Sequence, residues 1–359
     1  MATGERFKVS GFVLPDGEPG DLYVVDGSIS HEPVAGAETL ASGYIVPGLV
    51  DAHCHIGLDE NGAVADDVTE EQALTDRRAG MLLARDAGSP ADTRWIDDRE
   101  DLPRVIRAGR HIARTKRYIR NYGHEIEPDE LTAYVVREAK RGDGWVKLVG
   151  DWIDRDLGDL APCWPVDALA AAIDAAHAEG ARVTAHVFGR EALPDLLAAG
   201  VDCIEHGTGL SADLIESMAA RGVALVPTAR QLENFPQYAA AGESRFPAYA
   251  ARMLDLHARR RETIMTAYEA GTAIYAGTDA GGYLPHGLIG QEIEALARFT
   301  SAEYALGAGS WAARSWLRRP AELVDGAPAD LVVLDADPRT DLGLLRRPRH
   351  VVLRGRLVG

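Results

Sequence analysis

The sequence predicts an α/β protein: a (β/α)8 TIM barrel joined to a small β-domain. Two observations lead to this prediction. Between residues 49 and 320, short apolar runs alternate with stretches of helical periodicity, which is typical of βα units around a parallel sheet. Residues 1–48 and 321–359 are instead rich in strand-like runs with Gly and Pro turns. We therefore expect the two termini to form one β-sandwich domain together, since chain termini often lie close to each other.

The middle region of the chain contains the predicted strands and helices of the barrel. The apolar runs predicted as its eight strands are 45–52, 81–88, 104–110, 145–151, 182–189, 201–207, 222–228 and 273–281. Helical patterns lie between them, among others at 165–181, 191–200 and 211–222. Eight such strands fit a closed barrel. An open doubly wound sheet is the competing architecture, but no GxGxxG or Walker A motif follows a strand to favour its nucleotide-binding form.

Composition narrows the classes of partner. The chain has 359 residues, with 55 acidic against 38 basic side chains, so its formal net charge is −17. This charge argues against nucleic acid and anionic membrane surfaces as partners. The three cysteines do not have the number or spacing of a disulfide framework, which indicates a reducing compartment. With no apolar N-terminal run typical of a signal peptide and no long apolar segment, we expect a cytoplasmic protein without a transmembrane helix.

Polar side chains stand where the predicted strands end, which is where a barrel places its active site. They are Asp51, His53 and His55 after the first strand, Lys147 in the fourth, His186 and His206 in the fifth and sixth, and Asp279 in the eighth. Imidazole and carboxylate groups are the usual nitrogen and oxygen ligands of zinc and related divalent ions. The pattern therefore predicts a metal site.

The spacing of the histidines supports this prediction. Residues i and i+2 of an extended segment point to the same side, so His53 and His55 can bind one ion. His186 and His206 are separated by one βα unit, 206 − 186 = 20 residues, and can share a second ion from neighbouring strands.

Simpler interpretations exist for every one of these residues. A single His at a strand end is usually a satisfied polar residue, and Asp279 could be a turn residue or a helix N-cap. Lys147 in an apolar strand could form a structural ion pair, for example with Asp151 or Asp86, because an unpaired buried lysine is costly. The placement of the four histidines, Lys147 and Asp279 at one end of successive βα units is much harder to explain by chance.

The ordered set HxH, Lys, His, His, Asp resembles the amidohydrolase superfamily, specifically its imidazolonepropionase-like branch with its prolidase and dipeptidase-like relatives. The matching segments are IVPGLVDAHCHIG, RVIRAGRHIARTKRYIRNYGHE, WVKLVGD, VTAHVFG, VDCIEHGTGLS, IYAGTDAGG and GAPADLVVLDADP. The resemblance spans nearly the whole chain. It implies a (β/α)8 barrel with a β-sandwich made from both termini, here residues 1–48 with 321–359 around 49–320.

The resemblance also implies a binuclear metal centre. His53, His55 and Asp279 would hold one divalent ion, and His186 and His206 would hold the other. Lys147, carboxylated by CO2, would bridge them as a carbamate. Zinc is the first choice of metal, although manganese, cobalt or iron also fit such ligands. Two departures from the family pattern, RNYGHE in place of a Gly-rich run and the altered segment 309–330, affect the substrate and not the metal site.

The predicted reaction is metal-assisted hydrolysis of a C–N bond in a small amide, dipeptide or N-acyl amino acid. Asp279 would act as general base and then as general acid, with Lys147 supporting the metals. Loop positions at the barrel mouth make His124, Arg230 and Tyr283 candidate substrate contacts. Weaker candidates are Trp152 and His286, the latter being equally consistent with a solvated loop residue. Helix or surface positions without a role are expected for His31, His111, His177, His257 and His350.

Alternatives stay open at this stage. A lactonase or other ester hydrolase could use the same site, and release of alcohol instead of amine would identify it. A non-catalytic barrel should lack some of the ligands, whereas all six are present. A mononuclear deaminase would need no lysine in the fourth strand. The sequence does not name the substrate, and it is compatible with a homo-oligomer.

Overall fold

The computed structural model describes residues 6–359. Its strands, in chain order, are β1 (Arg6–Val13), β2 (Glu18–Val25), β3 (Ser28–Ser30), β4 (Glu38–Pro47), β5 (Leu49–Cys54), β6 (Leu58–Asp59), β7 (Gly62–Ala63), β8 (Met81–Asp86), β9 (Arg104–Arg107), β10 (Ile112–Arg114), β11 (His124–Ile126), β12 (Trp145–Val149), β13 (Asp151–Asp154), β14 (Asp159–Pro162), β15 (Arg182–Val187), β16 (Cys203–His206), β17 (Ala224–Val226), β18 (Leu331–Leu334), β19 (His350–Leu353) and β20 (Arg356–Leu357).

The α-helices alternate with these strands through the middle of the chain. They are α1 (Asp66–Arg78), α2 (Leu131–Arg141), α3 (Val166–Ala178), α4 (Leu193–Ala199), α5 (Ala212–Arg221), α6 (Phe235–Gly242), α7 (Pro247–Glu269), α8 (Ile289–Leu296), α9 (Ala302–Ala308) and α10 (Trp311–Trp316). Short 3-10 turns lie at Arg94–Asp98, Pro128–Glu130, Gln231–Asn234 and Leu342–Arg346. Among residues 6–359, no helix combines the length and hydropathy that crossing a bilayer requires.

Strands from both ends of the chain form one sheet, in the order β20-β19-β18-β4-β1-β2-β3. β4 is the link, because it pairs parallel with β1 and antiparallel with β18. Alternate residues such as Val9, Leu22 and Val333 are buried in a separate apolar cluster, as period-2 alternation in a half-buried sheet predicts. The N- and C-terminal strands are therefore stabilised by each other's hydrogen bonds and side chains.

The middle of the chain contains parallel strands in two sheets, ordered β5-β8-β9 and β11-β10-β12-β15-β16-β17. β5, β8 and β12 are buried along their whole length, as expected for parallel strands with helices packed outside them. Seven of the eight apolar runs predicted as barrel strands overlap one of these strands. The carboxyl ends of β5, β15 and β16 lie at the same edge, which brings their terminal side chains together.

The eighth predicted strand, 273–281, differs from the expectation because it is not a continuous strand. It makes isolated bridges from Ile274 to Leu225 and from Ala280 to Cys54. Backbone hydrogen bonds still tie it to both neighbours, from Leu225 N to Ala273 O at 2.9 Å and from Ala52 N to Ala276 O at 2.8 Å. Positive φ angles at Asp279 (60°) and Gly281 (111°) interrupt the extended backbone.

Three helices predicted from sequence appear with slightly shorter bounds. The regions 165–181, 191–200 and 211–222 contain α3, α4 and α5. α4 and α5 end at Gly200 and Gly222, which adopt left-handed conformations with φ of 93° and 70°. Glycine after a helix satisfies the last carbonyls in this conformation without a Cβ penalty. The short turns that follow return the chain to the next strand.

Candidate metal centre

His53 and His55 present their rings to one point at the end of β5. Their Nε2 atoms lie 3.2 Å apart. The Nδ1 atom of His55 lies 2.7 Å from the carbonyl oxygen of Gly88, so Nδ1–H donates to that carbonyl and leaves Nε2 free to bind a metal. Such a bond fixes both the tautomer and the ring orientation.

Asp279 completes a three-ligand cluster with these histidines. Its Oδ1 atom lies 3.0 Å from Nε2 of His53 and 3.1 Å from Nε2 of His55. Ligands at zinc distances of 2.0–2.1 Å in a tetrahedral site are separated by about 3.3–3.4 Å. The observed separations of 3.0–3.2 Å are close to that value. The donor set therefore fits one divalent ion.

Glycines allow Asp279 to come this close. A Cβ atom on Gly277 would lie 2.6 Å from Cβ of His53, and one on Gly281 would lie 2.1 Å from the carbonyl oxygen of His55. The GTDAGG segment therefore has glycine where the backbone packs directly against β5. Asp279 itself has a positive φ, an uncommon conformation that often accompanies function in non-glycine residues.

His186 and His206 form a second pair on the neighbouring strands β15 and β16. Nδ1 of His186 lies 3.0 Å from Nε2 of His206, and Nδ1 of His206 lies 2.8 Å from Oγ1 of Thr228. His206 also has a positive φ, 65°. One ligand atom each from His53, His206 and Asp279 lie within 4.8 Å of one another. The second pair is therefore adjacent to the first cluster.

The protonation states suit metal binding. Burial lowers the pKa of His53 to about 4 and that of His206 to about 3, and it holds the pKa of His186 well below its usual value. These imidazoles are neutral at pH 7, which is the form that binds metals. Burial opposes ionisation of Asp279, but His53 and His55 hold its pKa well below the usual range. Nδ1 of His53 and Nε2 of His186 are buried without hydrogen-bond partners.

Lys147 lies on β12 with only 1% of its surface exposed, and its Nζ atom contacts the carboxylate of Glu205. The ion-pair partners suggested from sequence, Asp151 and Asp86, were wrong. The Asp151 carboxylate accepts a hydrogen bond from the backbone N–H of Phe188. The Asp86 carboxylate accepts hydrogen bonds from backbone N–H groups at the end of β5 and after β8. Both carboxylates therefore accept hydrogen bonds from backbone N–H groups and do not contact Lys147.

Glu205 is a buried residue of the site that the sequence analysis missed. Its Oε1 accepts hydrogen bonds from Arg85 Nη2 at 3.2 Å and Thr184 Oγ1 at 2.8 Å, and lies 3.5 Å from Nδ1 of His53. Burial opposes its ionisation, but His53, Lys147 and Arg85 hold its pKa well below the usual range. The signal was a carboxylate inside the apolar run CIEH, directly before His206.

His111 was expected at a surface or helix position, and this expectation was wrong. The residue is fully buried, and its ring centroid lies 5.0 Å from that of His55 and 5.3 Å from that of Tyr118. The physical reason is local: the chain continues past β9 into β10, so His111 comes directly before a second short parallel strand. Its position after the predicted strand 104–110 could have indicated this.

The candidate substrate contacts separate into two groups. His124 is directed to Glu138, with Nε2 2.9 Å from Oε1, and Arg230 donates its backbone N–H to Glu292 at 2.9 Å. Neither lines the cavity over the site, whereas Tyr283 does. His286 is neither solvated nor at the cavity, because its Nδ1 lies 2.7 Å from Oδ2 of Asp76.

A cavity of about 440 Å³ opens over the candidate metal centre, and His55, His186 and Asp279 line it. Much of its wall comes from aromatic residues, including Tyr118, Tyr122, Trp152, Phe188, Tyr238 and Tyr249. Its volume is within the range of about 300–1,000 Å³ typical of small-molecule sites. A separate cavity of about 480 Å³ is lined by residues such as Arg104, Arg314 and Asp330 and by none of the predicted ligands. The chemistry therefore belongs to the aromatic cavity.

Parallel βα units carrying these histidines, aspartate and lysine at strand ends define a hydrolase type of site. Residues 44–358 match the model of the Amidohydrolase family, and the chain belongs to this family. It is an amidohydrolase enzyme.

Three known proteins show how far the similarity extends. An uncharacterized protein of Mycobacterium tuberculosis is 57% identical over 99% of this chain and 96% of its own length. A crystal structure of a Xaa-Pro dipeptidase with bound methionine matches with a TM-score of 0.82 and 21% identity, over 98% of this chain and 99% of that chain. A crystal structure of the Aspergillus niger ochratoxinase matches with a TM-score of 0.78 and 19% identity, over 99% and 96% of the two chains. The structural matches show a shared fold.

Proposed function

We propose that this amidohydrolase cleaves the C–N bond of a small amide in a reaction that depends on two divalent metal ions, with zinc as the expected ion. The observation that carries the proposal is the meeting of His53 Nε2, His55 Nε2 and Asp279 Oδ1 at 3.0–3.2 Å. These three residues would hold one ion, and His186 with His206 would hold the other. Divalent ions in such a site contribute water activation near neutral pH and polarisation of the substrate carbonyl.

Asp279 has the properties that proton transfer requires. It lines the cavity, so a substrate can reach it, and its pKa lies well below the usual range, so the carboxylate is ionised at neutral pH. As a general base, Asp279 takes a proton from the attacking water at a carboxylate oxygen. As a general acid, it then gives that proton to the leaving amine nitrogen.

Lys147 is proposed to become a carbamate between the two sets of ligands. In that reaction the neutral Nζ forms a bond to the carbon of CO2, and an amine proton is released to water. Lys147 lies on β12, which pairs with β15, the strand that carries His186, and its register partner there is Thr184. In the uncarboxylated state Lys147 is held by Glu205.

The architecture around the site is part of the proposal. We propose that the strands of the two parallel sheets, with segment 273–281 between β17 and β5, form a closed (β/α)8 barrel of residues 49–320. Residues 1–48 and 321–359 would form the predicted β-sandwich domain. Three buried free cysteines support a reducing, cytoplasmic environment.

Metal removal and replacement test the proposed function. Enzyme stripped by a chelator should lose hydrolysis of a panel of small amides, dipeptides, N-acyl amino acids and lactones, and zinc should restore it. The released product should be an amine or amino acid. Full turnover by metal-free enzyme would contradict metal dependence, and release of alcohol alone from the panel would favour an ester hydrolase.

A further inference from the structure

The cavity over the candidate metal centre is far more aromatic than the chain as a whole. Seven of its sixteen lining residues are Phe, Trp or Tyr, whereas these types make up 6% of the sequence. Aromatic walls offer large apolar surfaces and favour flat or apolar groups in contact with them. The composition of the wall therefore indicates a substrate with a flat or apolar group.

The aromatic surface reaches the proposed ligands themselves. The ring of Phe188 lies 4.4 Å, centroid to centroid, from that of His186, and the ring of Trp152 lies 5.3 Å from it. Tyr118 packs against Trp152 at 4.9 Å. A group attached directly to the reacting carbonyl or to its nitrogen would therefore lie against rings.

Cationic side chains are missing from this wall. Among the described residues that line the cavity, there is no lysine or arginine, and the acidic residue is Asp279. Arg117 is next to Tyr118 in sequence, but it is engaged by Asp154 at 2.7 Å and by backbone carbonyls such as that of Ala161. A carboxylate lying against the aromatic part of the wall, away from the proposed metal ligands, would find no arginine or lysine partner there, and an unpaired buried charge is costly.

We propose that the substrate is a neutral amide bearing an aromatic or bulky apolar group and no carboxylate. The inference rests on the proposed function, because it names the substrate class of the same site. It favours the simple amides among the predicted substrates over dipeptides and N-acyl amino acids.

A matched pair of compounds tests the substrate class. N-acetyl-2-phenylethylamine and N-acetylphenylalanine share the acetamide and the benzyl group and differ by one carboxylate. With zinc-loaded enzyme, kcat/KM for the neutral compound should be at least about 10-fold higher. N-methylacetamide, which lacks the ring, should be a poorer substrate than the neutral aromatic compound. Equal or faster hydrolysis of N-acetylphenylalanine would overturn the inference while leaving the proposed function in place.

Calorimetric binding to the zinc-loaded Asp279→Asn variant separates the inference from the proposed function. Tighter binding of N-acetyl-2-phenylethylamine than of N-acetylphenylalanine supports the proposed substrate class. This holds even if the wild-type enzyme hydrolyses neither compound, because that failure counts against the proposed function and not against the substrate class. Tighter or equal binding of N-acetylphenylalanine, or no binding of either compound, overturns the inference.

Discussion

Oδ1 of Asp279 lies 3.1 Å from Nε2 of His55, although 224 residues separate the two in sequence. Neither side chain could hold this position alone. His55 is oriented by the carbonyl of Gly88, and Asp279 is placed by its own positive φ and by the hydrogen bond from its backbone N–H to the carbonyl of His53 at 2.7 Å. The first proposed metal subsite is thus formed by contacts between the two ends of the parallel-strand region.

Asp279→Asn should lower kcat by at least about 100-fold, because an amide cannot accept and return the proton. The measurement is steady-state turnover together with metal content. Asp213→Asn, which changes an exposed carboxylate on α5, is the control and should be unaffected. An Asp279→Asn enzyme that binds metal and turns over at the wild-type rate would remove Asp279 from its proposed role.

Lys147→Ala should lose activity and one of two bound metal ions, since the bridging group is removed. Metal stoichiometry by mass spectrometry measures this directly. Addition of a short carboxylic acid should restore part of the activity by occupying the position of the carbamate. Lys140→Ala on α2 is the matched control, as the side chain of Lys140 is largely exposed. Two ions retained in Lys147→Ala would argue for the ion pair with Glu205 as the main role of the lysine.

Gly281→Ala should destabilise the protein and reduce activity, because the new Cβ would lie 2.1 Å from the carbonyl oxygen of His55. Gly271→Ala is an informative control, since Gly271 also has a positive φ (75°) but no atom within 4 Å of an added Cβ. The control should cost about 1 kcal/mol from backbone strain alone. Urea unfolding compares the two variants. A loss for Gly281→Ala no larger than that for Gly271→Ala would show that the close approach to β5 is unimportant.

The pair between His286 and Asp76 should make stability depend on pH. Burial opposes protonation of His286, but Asp76 raises its pKa above the usual 6.5. The stabilisation is therefore fully present below about pH 6.5 and is lost as pH rises through the folded-state pKa. The free energy of unfolding that His286→Gln removes should be roughly 1.5–3 kcal/mol near pH 6 and smaller near pH 9. A cost that does not change between these pH values would mean that His286 is neutral in the folded protein.

Much of the site could be predicted because its chemistry is tied to strand ends. His53 and His55 stand two residues apart in an extended segment, and His186 and His206 one βα unit apart. These spacings place the rings of each pair on the same side of one strand or of two neighbouring strands, independently of the loop conformations. Glu205 could in principle have been found in the same way, as a charged residue in an apolar run.

Most of the substrate side could not be predicted, because it depends on long-range packing of loops. His124 was placed at the barrel mouth by its loop position, but its Nε2 lies against buried Glu138 instead. Tyr118 and Tyr122 line the cavity instead, on the loop between β10 and β11. The eighth strand was predicted from the run AIYAGTDAG at 273–281. Asp279 interrupts this strand with a left-handed conformation, which the pattern of apolar residues does not reveal.

The central claim is that one chain holds two divalent ions at these strand ends. Crystals of the zinc-loaded protein, measured on both sides of the zinc absorption edge, test it most directly. We expect two anomalous peaks, one bound by His53, His55 and Asp279 and the other by His186 and His206. A single peak, or zinc bound elsewhere with these five side chains free, would contradict it.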